Sequence, residues 1–237
     1  MTIIEKDNKI KLTMPRITAD MKLDPPVKYP LPQNSGFGWN IVGPSGSGKT
    51  SLLVSFVKNK DIFKKRFHNV ITVIPQSSLN SLKSNPFEEL SDGNKFEDLT
   101  LENLETIIER VEENRANDEL TLLILDDISA ELQDANILKK MMRLFLNRRH
   151  LYLSIICIAH SLTGKAALPY AIRKNCSHVL CFKPSCSLEN LNSEFLHKSS
   201  NDFRELCEYV FDKPHNHLFI HCGNNKLFKN FNTLEMR

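Results

Sequence analysis

The 237-residue sequence predicts an α/β fold in which one mainly parallel sheet is sandwiched by helices and ends in an edge hairpin. Three observations carry this. Short runs of strand-forming residues recur at 37–42, 69–74, 121–125, 151–159 and 178–182, each bounded by polar or turn residues. The segments between them carry helical periodicity, and strands that alternate with helices imply parallel pairing. Five of the eight glycines (Gly36, Gly38, Gly43, Gly46 and Gly48) fall within 13 residues, so backbone freedom is concentrated in one turn between a strand and a helix.

Taken in order, the chain opens on residues 1–35, where five of the eleven prolines (Pro15, Pro25, Pro26, Pro30 and Pro32) fall and no apolar period is sustained. This predicts an extended N-terminal arm of the kind that packs on a neighbour. The rest, 36–237, reads as one domain. Residues 37–42 form a strand, and 51–57 a buried helix after the glycine-rich turn. Leu101, Leu104, Ile107, Ile108 and Val111 share one helical face; Ile137, Leu138, Met141, Met142 and Phe145 share another. Near the end, 217–221 and 227–231 flank Gly223-Asn224-Asn225, the pattern of a hairpin.

Composition narrows the class. At 41% hydrophobic and 25% charged the chain supports one sizeable core. Its longest apolar run, 151–159, is far short of the ~20 residues that cross a bilayer, and the first residues lack the apolar stretch of a secretion signal. The six cysteines include no C-x-x-C pair, which predicts reduced thiols. Cys176, His178, Cys181 and Cys186 are too widely spaced for a zinc site, and His215, His217, His221 and Cys222 lack a convincing fourth ligand. The net charge of +3 conceals a division. Residues 88–119 hold 12 acidic and 3 basic side chains, a net of −9, while the remainder holds 28 basic and 16 acidic, a net of +12. The basic remainder suits a polyanionic partner, and the acidic block is a solvated face or a dock for a basic protein.

Gly43-Pro44-Ser45-Gly46-Ser47-Gly48-Lys49-Thr50 matches G-x-x-x-x-G-K-[ST] between a strand and a helix, the context in which that pattern cradles phosphates. Backbone N–H groups of the loop, continued by Ser51 at the helix start, surround the phosphates; Lys49 reaches the β- and γ-phosphates, and Thr50 ligates Mg²⁺. Thr121-Leu122-Leu123-Ile124-Leu125-Asp126-Asp127 places two carboxylates where a buried strand meets the phosphate crevice. Asp126 then joins Thr50 on Mg²⁺, and Asp127 orients or deprotonates the attacking water. With strand 69–74 between the two motifs in sequence, the chain resembles the additional-strand, catalytic-carboxylate branch of the P-loop NTPases. Arg148 and Arg149 precede strand 151–159 and are candidates for a finger reaching a neighbour's γ-phosphate, or for helix-end cations. His160 ends that strand as a candidate sensor or a plain cap.

The order of phosphate loop, Leu-Leu-Ile-Leu-Asp-Asp, Arg148-Arg149-His150 before a Ser-Ile-Ile strand, and 168–175 (LPYAIRKN) resembles the genome-packaging ATPases of large DNA viruses, the poxvirus type and their virophage relatives, within the FtsK/HerA superfamily. The resemblance covers roughly residues 37–232. It implies ATP hydrolysis coupled to moving double-stranded DNA into a capsid, a homo-oligomeric ring, capsid or portal-vertex partners, and a site of action in the infected cell's cytoplasm or in the virion. It favours Arg149 as the trans-acting finger, with Arg173 as a second interface candidate. Two positions depart from the family pattern: Asp127 stands where Glu is frequent, and His160 where Gln is frequent. The alternatives are a nucleoside monophosphate kinase, whose phosphate loop is similar, and a nucleotide-dependent assembly module without a motor.

Overall fold

Residues 21–80, 85–184 and 188–235 are described by a computed structural model of the chain. Among the described residues, nine strands form one sheet. Six come first: β1 (Gly38–Val42), β2 (Asn69–Val73), β3 (Lys95–Phe96), β4 (Thr121–Asp126), β5 (Leu153–Ala159) and β6 (His178–Phe182). These six pair in parallel, and β7 (His217–His221), β8 (Lys226–Lys229) and β9 (Asn232–Leu234) continue the sheet antiparallel. The spatial order is β3-β2-β4-β5-β1-β6-β7-β8-β9. The strand between the phosphate-loop strand and the acidic strand in space is therefore β5, whereas the strand between them in sequence, β2, lies outside β4.

The sheet's two faces follow from strand alternation. Leu123 and Leu125 of β4 point to a core closed by α3 (Leu101–Ala116) and α4 (Ala135–Asn147) through Leu104, Ile107, Met141 and Phe145. Leu122 and Ile124 point the other way, toward α1 (Lys49–Lys58) and an aromatic cluster in which Trp39 stacks on Phe56 at 5.1 Å and leans on Phe219 at 5.2 Å. Smaller helices complete the layers: α2 (Gln76–Asn80), α5 (Tyr170–Lys174), α6 (Glu189–Leu191) with a π-helical turn at Asn192–Leu196, and α7 (Ser200–Val210).

Helix starts separate structural from functional ends. Thr100, Asp134 and Ser199 cap α3, α4 and α7 by accepting backbone N–H bonds from residues two or three positions ahead. Gly48 precedes α1 with no side-chain cap, and no acidic residue lies in that helix's first turn. The first-turn donors of α1 are left to an external anion.

Three expectations are revised. Of the arm expected over 1–35, residues 1–20 lie outside the described residues, while 21–35 fold onto their own domain. Leu23, Val27 and Leu31 are buried in the aromatic core, Ser35 N donates to Met21 O at 2.7 Å, and His221 Nε2 donates to Pro30 O at 2.6 Å. The prolines shape an apolar strap whose side chains find partners over too irregular a spacing to show a period. The C-terminal hairpin is a three-stranded meander, and β3 is a strand of two residues in the acidic block, too short to register as alternation. Strand β5 begins at Leu153, because Tyr152 has φ +49° and turns the chain just before it.

Candidate nucleotide-binding site

The phosphate loop leaves the C-terminal end of β1, where Gly43 N donates to Ala159 O of β5 at 3.2 Å. Two glycines have the left-handed backbone that the turn requires, Gly46 at φ +74° and Gly48 at φ +102°. A Cβ on Gly43 would stand 2.8 Å from both Phe182 Cβ and Ser47 Oγ, so the loop can lie against β6 only without one. Lys49 is buried, and its Nζ donates to Gly43 O at 2.7 Å and Pro44 O at 2.9 Å. The loop thus holds its own cation inside the ring of backbone that a phosphate would occupy. Burial lowers the Lys49 pKa, while the nearby charges of Asp126 and Asp127 oppose that shift. Thr50 and Ser51 follow in the first turn of α1, and Ser51 O accepts a bond from Ser55 Oγ at 3.0 Å.

Two strands away, Asp126 ends β4 opposite Ile158 of β5, and His160 follows β5 by one residue. Phosphate loop, histidine and carboxylates therefore share one crest of the sheet, spaced by the ~4.8 Å between neighbouring strands. Asp126 is 5% exposed. Burial and the charge of Asp127 push its carboxyl up to about 6, against the pull of Lys49. The oxygen donors available, the buried carboxylate of Asp126 and the hydroxyl of Thr50 in the first turn of α1, are of the type that a small hard cation takes, its remaining oxygens coming from phosphate and water. Asp127 is half exposed, sits at φ +55°, and its Oδ1 lies 3.5 Å from His160 Nε2. The left-handed turn at Asp127 swings its side chain off the line of β4, so consecutive carboxylates take different positions.

The arginines divide differently. Arg148 turns inward: its Nε donates to Gly36 O at 2.9 Å, a second nitrogen donates to Phe145 O, and burial lowers its pKa. It is a clamp between the strap and the end of α4, not a free finger. Arg149, beside it, is exposed, and its backbone packs so closely on Gly36 that a Cβ there would come within 3.0 Å of Arg149 Cα. Both residues precede β5, whose seven residues separate them by ~20 Å from the phosphate-loop crest at the strand's other end. Neither reaches the nucleotide of its own chain. Arg173 is buried and held by Glu194 in a two-pronged ion pair, Nε to Oε2 at 3.0 Å and an outer nitrogen to Oε1 at 2.6 Å. That pair fastens α5 to the π-helical turn and takes Arg173 out of contention as a finger.

The histidines and cysteines near the C-terminus serve packing. His178 stacks on Phe219 at 5.6 Å, and burial, reinforced by His221 and Arg148, pushes its pKa down to about 3. His217 packs against Phe182 and Phe231, and Cys186 lies outside the described residues. One residue of this group does reach the site: His215 Nδ1 lies 2.9 Å from Ser47 O. Its sequence neighbourhood, Lys213-Pro214-His215-Asn216, signals a turn and nothing more, because its partner is 168 positions away.

A glycine-rich loop from β1 into an uncapped helix, with an acidic pair across an inserted parallel strand, defines a P-loop NTPase of the additional-strand type. Within that class the chain belongs to a particular family: the model described as the poxvirus A32 protein matches residues 30–207. Among solved structures, the genome packaging NTPase B204 of Sulfolobus turreted icosahedral virus 2, in complex with ATP-gammaS, is 11% identical with a TM-score of 0.60, over 82% of this chain and 96% of that one. The DNA-packaging ATPase B204 of Sulfolobus turreted icosahedral virus is 12% identical with a TM-score of 0.59, over 86% and 99%. ATPases 2 and 3 of EssC from Geobacillus thermodenitrificans are 15% identical with a TM-score of 0.55, over 82% of this chain and 39% of that one. At these identities the likeness is one of fold. No curated protein matches the sequence.

Proposed function

We propose that this chain is an ATP-hydrolysing motor that drives double-stranded DNA into a viral capsid, and that it works as a homo-oligomeric ring. Membership of the A32 family and the fold shared with two viral packaging NTPases support the reading. The observation that carries it is the placement of phosphate loop, His160 and the Asp126–Asp127 pair on one crest, with Arg149 exposed at the opposite rim of the sheet. Backbone N–H groups at Gly46 and at 48–51, with the Lys49 ammonium, would bind the triphosphate, while Thr50 and Asp126 would hold Mg²⁺. The metal, when bound, neutralises charge on the β- and γ-oxygens. Asp127 takes the proton of the attacking water, and His160, 3.5 Å away, fixes the direction of that carboxylate.

Duplex DNA of any sequence should raise the ATPase rate of the full chain severalfold. The stimulation should fade steeply between about 50 and 200 mM salt, because contacts to phosphates release counterions. A rate indifferent to DNA, or phosphate transfer to GMP or AMP, sinks the motor reading and favours the kinase alternative. Because Arg149 lies ~20 Å from its own crest, it would complete a neighbour's site. Subunits carrying Arg149→Ala mixed with subunits carrying Lys49→Ala should recover part of the activity that each lacks alone; absence of recovery at every ratio excludes a finger acting between subunits. The capsid or portal partner and action in the infected cell's cytoplasm follow from the packaging role.

A further inference from the structure

We propose that His215 is a positioning residue of the phosphate loop, which makes the C-terminal meander part of the nucleotide site. The inference rests on the nucleotide-binding reading above. His215 sits in the turn between α7 and β7, at φ +64°, and its Nδ1 faces the carbonyl of Ser47 at 2.9 Å. A carbonyl only accepts, so Nδ1 carries the proton and donates. The Ser47–Gly48 peptide is planar and trans, so its C=O and N–H point in opposite directions. With the Ser47 carbonyl held outward by His215, the Gly48 N–H is turned inward, toward the hollow that receives phosphate. The imidazole also defines the space at Gly48, where a Cβ would meet His215 Nδ1 at 3.4 Å.

The turn that presents His215 is itself anchored. Asp212 is paired with Lys229 of β8 at 2.7 Å and accepts from Asn216 Nδ2 at 2.7 Å. Asn230 Nδ2 donates to Asn216 Oδ1 at 2.6 Å, and its own Oδ1 accepts from His217 N at 3.0 Å. An exposed turn held by four such bonds presents a fixed imidazole, which is what aiming one backbone donor requires. Between this turn and the phosphate loop lies a cavity of about 410 Å³, walled by Ser45, Gly46, Phe182, Lys183, Lys213 and Pro214. The γ-phosphate end of a nucleotide points toward Asp126 and Asp127 on the β4 side of β1. Its nucleoside end must therefore leave on the β6–β7 side, where His215 stands.

The test is direct binding of a fluorescent ADP to the full chain with His215 replaced by Ala, Asn or Phe, with Lys49→Ala as reference. Asn keeps a short N–H donor; Phe keeps the ring without one. His215→Ala and His215→Phe should weaken binding about tenfold, the effect of losing one aimed hydrogen bond, and His215→Asn should restore most of it. The ligand-free melting temperature should stay within about 2 °C, since the side chain is exposed. Binding by the Ala variant within twofold of the parent overturns the proposal, as does an Asn variant no better than Phe. If the parent chain itself does not bind ADP, or binds it equally with Lys49→Ala, the nucleotide-site reading fails first and carries this proposal with it.

Discussion

Asp127→Asn should lower ATP turnover by about 10²–10⁴-fold and leave ATP affinity within about threefold of the parent. The size follows from what the side chain does. Asn keeps the volume and one acceptor oxygen but cannot take a proton, so water remains placed while the base is lost. Affinity is spared because binding rests on the phosphate loop and Lys49, whose Nζ is fixed by Gly43 O and Pro44 O independently of Asp127. Phosphate release, measured beside an equilibrium titration with ATP, separates the two quantities. Turnover within tenfold of the parent would assign the base to another group. It would also favour a module that uses nucleotide for assembly alone.

Asp126→Asn should stabilise the ligand-free chain while abolishing Mg²⁺-dependent turnover. The carboxyl of Asp126 is raised to about 6 by burial and by Asp127. A group raised above its unfolded value of about 3.9 binds more protons folded than unfolded between those pH values, so its contribution to stability falls as pH rises from about 4 to about 6. Above that window the whole penalty is present, about 3 kcal/mol at most for a shift of two units. Asn removes the charge and hence the penalty. At pH 7.5 the variant should melt about 5–10 °C higher than the parent, and the gain should vanish near pH 4. His178, held down to about 3, acts in the opposite sense: burying it neutral costs stability below about 6.5 as the unfolded imidazole takes up its proton. Between about pH 4 and 6 the two oppose each other in the parent's acid melt, and below that the histidine's loss continues alone. The difference between parent and variant isolates Asp126. A variant that melts no higher than the parent at pH 7.5 would mean that the carboxylate is compensated without a metal.

What could be read from the residues depended on whether cause and consequence lie close together in the chain. The phosphate loop and the strand ending in Asp126–Asp127 are local patterns, and both appear where their spacing put them. The expectation of a mainly parallel sheet with a terminal antiparallel edge rested on alternation over whole strands, which survives small boundary errors. Between Arg148 and Arg149 the residue type is the same, and only the carbonyls of Gly36 and Phe145 decide that one turns inward. Arg173 met Glu194 across 21 positions, and His215 met Ser47 across 168; no periodicity encodes such meetings. The strap of 21–35 was hidden for a related reason, since Leu23, Val27 and Leu31 are spaced to suit the turns of a proline-rich segment and no regular element.

Strand β5 pairs with β4 over Leu153–Ile158 and with β1 over Ile155–Ala159, and all seven of its residues are buried. A fully extended chain clamped on both sides cannot lengthen, and packing on both faces prevents it from bowing. The turn before its lower end holds the clamp Arg148 and the exposed Arg149; past its upper end stands His160, beside Asp127. The strand is a push-rod about 20 Å long. A shift of the turn at 148–152 along the strand axis can reach the His160–Asp127 pair only through this inextensible segment, which ties the two ends of the sheet together mechanically.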